Sequence, residues 1–133
     1  MQLNQVTVPT MDYASSIAFY RALGLALIVD SPPNYARFQC PARPDQGPPA
    51  TFSISARDHM STSSDHPVCY FETQDMDQIV EHMRGLGYDI LKEPADYSWR
   101  WREADIIDPS GNVIRLYWAG EDRRFPPWRV KQG

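Results

Sequence analysis

The chain has little of the residue types that build cofactor, metal and membrane sites. Among its 133 residues are 3 histidines and 2 cysteines. No apolar run approaches the roughly eighteen residues of a membrane-spanning helix. The opening MQLNQVTVPT has neither the basic start nor the apolar stretch of a secretory signal. A soluble, cytoplasmic protein with no membrane partner is therefore expected. Cys40 and Cys69 lie far apart without a CxxC pair, which excludes a zinc knuckle or dithiol redox motif and predicts two reduced thiols. Cationic surplus is missing too. With 13 Lys+Arg against 17 Asp+Glu the formal charge is −4, which argues against a nucleic-acid partner.

What is present is a repeat. Val6 to Asp12 and Phe71 to Asp77 share a Met-Asp step 65 residues apart, each at the end of a β-prone run and the start of a helical pattern. Downstream, Arg21-Ala22-Leu23-Gly24-Leu25 faces Arg84-Gly85-Leu86-Gly87-Tyr88 at a separation of 63. Between these anchors Ala14, Ile17, Phe19, Tyr20 and Leu23 recur at helical spacing, as do Ile79, Val80, Met83 and Leu86. Asp12 and either Asp75 or Asp77 are suited to cap the helix starts, and glycines to end them. Strands are expected at Leu25 to Val29, Ala36 to Gln39 and Thr51 to Ala56, and again at Tyr88 to Leu91, Arg102 to Ile107 and Val113 to Trp118.

The outcome is an α+β chain of two tandem βαβββ modules, about residues 1–56 and 66–120, forming a single domain. A polar linker from Arg57 to Asp65 joins them, and a charged, aromatic arm follows over 121–133. Pro41 to Pro49 holds four prolines and is predicted to be an irregular loop, because proline cannot donate to a strand ladder.

Asp108-Pro109-Ser110-Gly111-Asn112 reads as a tight turn between two strands. Followed by Val113 to Tyr117, it resembles the DPxGN signature closing the second module of the vicinal oxygen chelate superfamily, the glyoxalase, bleomycin-resistance and extradiol-dioxygenase group. Ser16 to Leu25, SIAFYRALGL, resembles that family's first-helix motif. Trp99-Arg100-Trp101-Arg102-Glu103 is similar to the WGxRE stretch of the bleomycin-resistance branch, with Arg100 in place of the usual glycine. The resemblance runs from Leu3 to about Trp118. It implies mixed, curved sheets enclosing a cavity, with helices on the outer face, and a homodimer.

Alternation along the strands then separates the two faces. Phe52, Ile54, Ile114 and Leu116 belong against the helices. Leu3, Gln5, Thr7, Thr51, Ser53, Ser55, Val68, Tyr70, Val113, Arg115 and Tyr117 are expected to face the cavity. The family's enzymes bind a divalent ion through residues at four such places, which the resemblance puts at Gln5, Ser53 or a neighbour, Val68 or Tyr70, and Arg115. A guanidinium has no lone pair to donate and repels a dication, so no metal site is expected. His66 shares the alternation of Val68 but adjoins Pro67 in a polar stretch, His82 reads as solvent-facing, and His59 falls in the linker.

Arg115 is then expected to receive an anion or to pair with Glu103 or Asp105. Tyr35, Phe38, Tyr97, Trp99, Trp101 and Tyr117 are expected to border the cavity, with Trp101 assigned to core or dimer packing. The ligand-binding set is accordingly Gln5, Tyr35, Phe38, Ser53, Tyr70, Trp99, Arg102, Arg115 and Tyr117. The function expected is binding of an aromatic or anionic small molecule without a cofactor. The alternative is a lyase or dioxygenase dependent on zinc, nickel, manganese or iron, with Glu103 or Glu72 moving a proton. The arm, Arg124 to Arg129, is read as a clamp on a neighbouring module or subunit.

Overall fold

A computed structural model describes residues 2–59 and 67–130. Their elements run in the order β1 (Gln5–Thr10), α1 (Tyr13–Leu23), β2 (Ala26–Ser31), β3 (Tyr35–Gln39), β4 (Thr51–Ala56), β5 (Cys69–Glu72), α2 (Met76–Gly85), β6 (Ile90–Asp96), β7 (Arg102–Ile107) and β8 (Val113–Trp118), with short 3₁₀ turns at Pro44–Gln46 and Gly120–Arg123. This is βαβββ twice over. The chain divides into two compact units, one of Met1–Pro67 with Ile107–Asn112, the other of Val68–Ile106 with Val113–Gly133.

In the first unit the sheet order is β1-β4-β3-β2, with β1 parallel to β4 and the other pairs antiparallel. A helix must follow β1, because a parallel partner cannot be reached by a tight turn. Asp12 starts α1, its side chain accepting from the Ser15 amide at 3.1 Å, and Gly24 ends it at φ 110°, where a Cβ would be strained. Phe19, Tyr20 and Leu23 meet Val8, Ala36, Phe38, Phe52 and Ile54 in a buried core. Tyr20 packs on Phe52 and Phe38, at 4.6 Å and 5.6 Å between ring centroids.

The turn after β7 completes this unit. The buried Asp108 carboxylate accepts from the Tyr20 hydroxyl at 2.6 Å, from the Ser110 and Asn112 amides, and from Asn112 Nδ2. Asn112 Nδ2 also donates to the Pro9 carbonyl at 2.9 Å. A buried carboxylate is tolerated because its lone pairs are occupied.

The second unit repeats the order as β5-β8-β7-β6, with β5 parallel to β8. Met76, Val80 and Met83 of α2 are buried, as are Ala104, Ile106, Ile114 and Leu116. As expected, a glycine ends α2, with the left-handed angle on Gly87 at φ 90° just past the Leu86 cap. One local expectation changes. β6 runs on through Pro94 to Asp96, which an edge strand with an irregular register permits.

Candidate functional site

The pleat gives each sheet one face toward its helix and one away from it, and the chemistry lies on the second. In the first unit β3 and β4 pair Arg37 with Ser53 and Gln39 with Thr51, while β1 and β4 pair Gln5 with Thr51. The Tyr35 hydroxyl bonds Ser53 Oγ at 2.8 Å and accepts from Arg37 Nε at 2.9 Å. Thr51 Oγ1 donates to Gln5 Oε1 at 2.8 Å. Hydrogen bonding by Ser53, and then by Arg37, lowers the Tyr35 phenol below its ordinary value. Gln5, Tyr35 and Ser53 therefore share one polar face, and Arg37 joins them.

Phe38 does not. It is 0 % exposed and packs on Tyr20, because it lies an odd number of residues from Tyr35 and so points through the sheet to the helix.

The second unit holds the denser arrangement. Arg115 on β8 donates from Nε and Nη2 to the two oxygens of Asp105 at 2.7 and 2.9 Å, a bidentate pair, and from Nη1 to the Tyr70 hydroxyl at 2.7 Å. Its Nε lies 3.7 Å from Glu103, a residue 3 % exposed, whose other oxygen accepts from Trp99 Nε1 at 3.1 Å. Hydrogen bonding to Asp105 raises the Arg115 pKa further above its ordinary value, so the guanidinium is a permanent cation. Trp101 stacks on Tyr117 with centroids 5.0 Å apart at 23°, and Tyr70 meets both rings edge-on. Tyr97 stacks on Trp99 at 4.4 Å. A cavity of about 450 Å³ is lined by Tyr70, Trp99, Trp101, Glu103, Arg115 and Trp128, among others.

Tyr70, Trp99, Arg115 and Tyr117 are thus brought together, with Tyr117 buried behind Trp101 and Tyr70. Two expectations are corrected. Trp101, half-buried, lines the cavity rather than only filling core. Arg102 lies on the helix face with Ala104 and Ile106, and its guanidinium donates to Asp77 on α2 at 2.8 Å and to Asp96 at 3.2 Å. The pairing of Arg115 with Asp105 was one of the two roles open to it, and it leaves the cation already neutralised.

Sequence reasoning missed Arg37 and Trp128 at these sites. Arg37 shares the alternation of Tyr35 and could have been found by it, whereas Trp128 lies beyond the last strand, where no periodicity reads. Just before the Arg124 to Arg129 stretch, Asp122 pairs with Arg100 at 3.3 Å and Arg123 with Glu72 at 3.9 Å, both within their own unit. His66 lies outside the described residues.

The family's metal positions can be tested against these side chains. Gln5 offers one amide oxygen, already accepting from Thr51, and Ser53 a neutral hydroxyl bonded to Tyr35. Tyr70 accepts a hydrogen bond from Arg115, and Arg115 is a cation without a lone pair. Among the described residues no group of three or more His, Cys, Asp or Glu could hold a metal ion. This donor set does not fit a divalent ion.

The fold class is the paired βαβββ module with an open sheet face in each copy. Residues 2–116 match the model of the glyoxalase/bleomycin resistance protein/dioxygenase superfamily, and the chain belongs to that family. Its structure is similar to a family enzyme from Burkholderia phytofirmans PsJN, at 21% identity and a TM-score of 0.69 over 87% of this chain and 97% of that one. It is similar also to a bleomycin-binding protein complexed with bleomycin, at 20% identity and a TM-score of 0.66 over 88% of this chain and 97% of that one. A lactoylglutathione lyase from Agrobacterium tumefaciens aligns at 15% identity and a TM-score of 0.67, over 87% and 92% of the two chains. None of the curated proteins matches the chain in sequence.

Proposed function

We propose that the protein binds a planar aromatic small molecule against Tyr70, Trp99 and Trp101 and does so without the family's metal ion. One observation carries this reading. Arg115 is paired with Asp105 and Tyr70, and Glu103 with Trp99, while Trp99 and Tyr70 remain 44 % and 47 % exposed, Trp99 with one face on Tyr97 and Tyr70 with the Arg115 guanidinium over its ring. A ligand gains little by competing for paired charges, and it gains by covering rigid aromatic surface at low entropic cost. A cavity of about 450 Å³ suits a small organic molecule. The anionic ligand that an unpaired Arg115 would have attracted loses its main support.

A cytoplasmic homodimer is the setting we infer. The two free cysteines, Cys40 and Cys69, suit a reducing compartment. Ile28 and Leu91, apolar and exposed on the edge strands β2 and β6, suit a subunit contact. The metal-dependent lyase or dioxygenase reading needs donors where Tyr70 and Arg115 stand.

Intrinsic tryptophan fluorescence, titrated with a panel of neutral planar heteroaromatics, tests the proposal. Saturable quenching is expected, and Trp101→Ala should weaken it about tenfold, the scale of one lost aromatic pair with its burial. Quenching that is absent across the panel, or untouched by Trp101→Ala and Trp99→Ala together, would refute it.

A further inference from the structure

We propose a second binding site, formed by the C-terminal arm, for an anion that carries an apolar body. It adjoins the Trp101 cavity, sharing Asp122 and Pro126 with it, but is lined by different aromatic and cationic side chains. The site is a cavity of about 1020 Å³ bordered by Arg100, Arg124, Phe125, Pro127 and Arg129. Its charge is unbalanced. The bordering carboxylate, Asp122, lies 3.3 Å from Arg100. Arg124 and Arg129 have no ion pair among the described residues, and both guanidiniums sit over one ring, 5.0 and 5.2 Å from the Phe125 centroid. Two cations gathered on one ring lie within about a screening length of each other, some 8–10 Å at physiological salt, so each raises the cost of the other. An oxyanion held by these guanidiniums lowers that repulsion, and their planar forks match phosphate or carboxylate oxygens. The half-exposed Phe125 and the prolines beside it offer the surface for the rest of the ligand.

Arg100 is a second, separate sign that the arm is held for use. Its φ is 70°, and it is the one non-glycine residue at positive φ among those described. An L-residue there is strained, because its Cβ crowds the backbone. Backbone strain of this kind persists where the surroundings hold it and is enriched at binding sites. Here the strained residue directs its side chain to Asp122, two residues before Arg124, and so fixes the arm from which both free cations project.

Isothermal titration calorimetry of the full chain with phenyl phosphate, phenol and inorganic phosphate tests this. Phenyl phosphate should bind with a submillimolar Kd, at least tenfold tighter than either phenol or inorganic phosphate, and more weakly as salt rises. Arg124→Gln and Arg129→Gln should each weaken it several-fold, and the double variant at least tenfold. Arg100→Gly, which removes the guanidinium while leaving no strained side chain, should also weaken it. Both arm arginines are exposed, so the singles test the site even if the double variant is unstable. No saturable heat with phenyl phosphate, equal binding of phenol, or affinity unchanged in the double variant would overturn the proposal.

Discussion

At the scale of single residues, Arg115 decides what the central site can be. Its side chain is 18 % exposed and its partner Asp105 is 2 % exposed, so removing Arg115 leaves the Asp105 carboxylate buried without its counterion. Arg115→Met is expected to destabilise the protein by about 3 kcal/mol in urea unfolding, whereas the double variant Arg115→Met/Asp105→Leu should recover most of that loss. Equal stability of the single and double variants would mean that the pair is not electrostatically coupled. Tyr13 makes a prediction about pH. Burial, and then hydrogen bonding of its hydroxyl to Asp30, raise its pKa to about 12 from the ordinary 10.0. The folded-state value is the higher one, so the stability due to this contact is whole below pH 10 and disappears as pH rises through 12. Native protein should therefore lose more stability across that window than Tyr13→Phe, in denaturant midpoints taken side by side.

At the scale of elements, the two helices start differently despite the repeated Met-Asp step. Asp12 caps α1 through its side chain, while Asp75 at the start of α2 makes no side-chain cap, its amide donating instead to Thr73 Oγ1 at 3.0 Å. Asp12→Ala should cost about 1 kcal/mol by urea unfolding and Asp75→Ala distinctly less. Equal costs would contradict the capping geometry. The elements themselves were legible because alternation and helical spacing are local: Phe52, Ile54, Ile114 and Leu116 lie in the core where their period put them. Phe38 and Arg102 were misassigned where residue type was allowed to outweigh that parity. Phe38 shares the parity of Ala36, and Arg102 that of Ala104 and Ile106, and both follow it. The arm was the least readable part. Its conformation depends on ion pairs made far away in sequence, such as Arg123 with Glu72, which no local pattern announces.

At the scale of the whole molecule, the fold is the family's, and at the positions where the resemblance puts a metal the Gln5, Ser53 and Tyr70 side chains are already hydrogen-bonded and Arg115 has no lone pair to give. The same architecture supports binding and catalysis, so function must be read from the site. In this chain the site offers paired charges beside partly exposed aromatic rings, and the reading we propose is a binding protein that needs no ion. Elemental analysis of the purified protein, together with a thermal-shift scan against zinc, nickel, manganese and iron, tests that claim most directly, because an ion bound specifically to the native state must raise its stability. The account predicts substoichiometric metal, no saturable shift, and binding of planar aromatics that persists after treatment with a chelator. A stoichiometric ion with a saturable rise in Tm, abolished by Gln5→Ala, would contradict it.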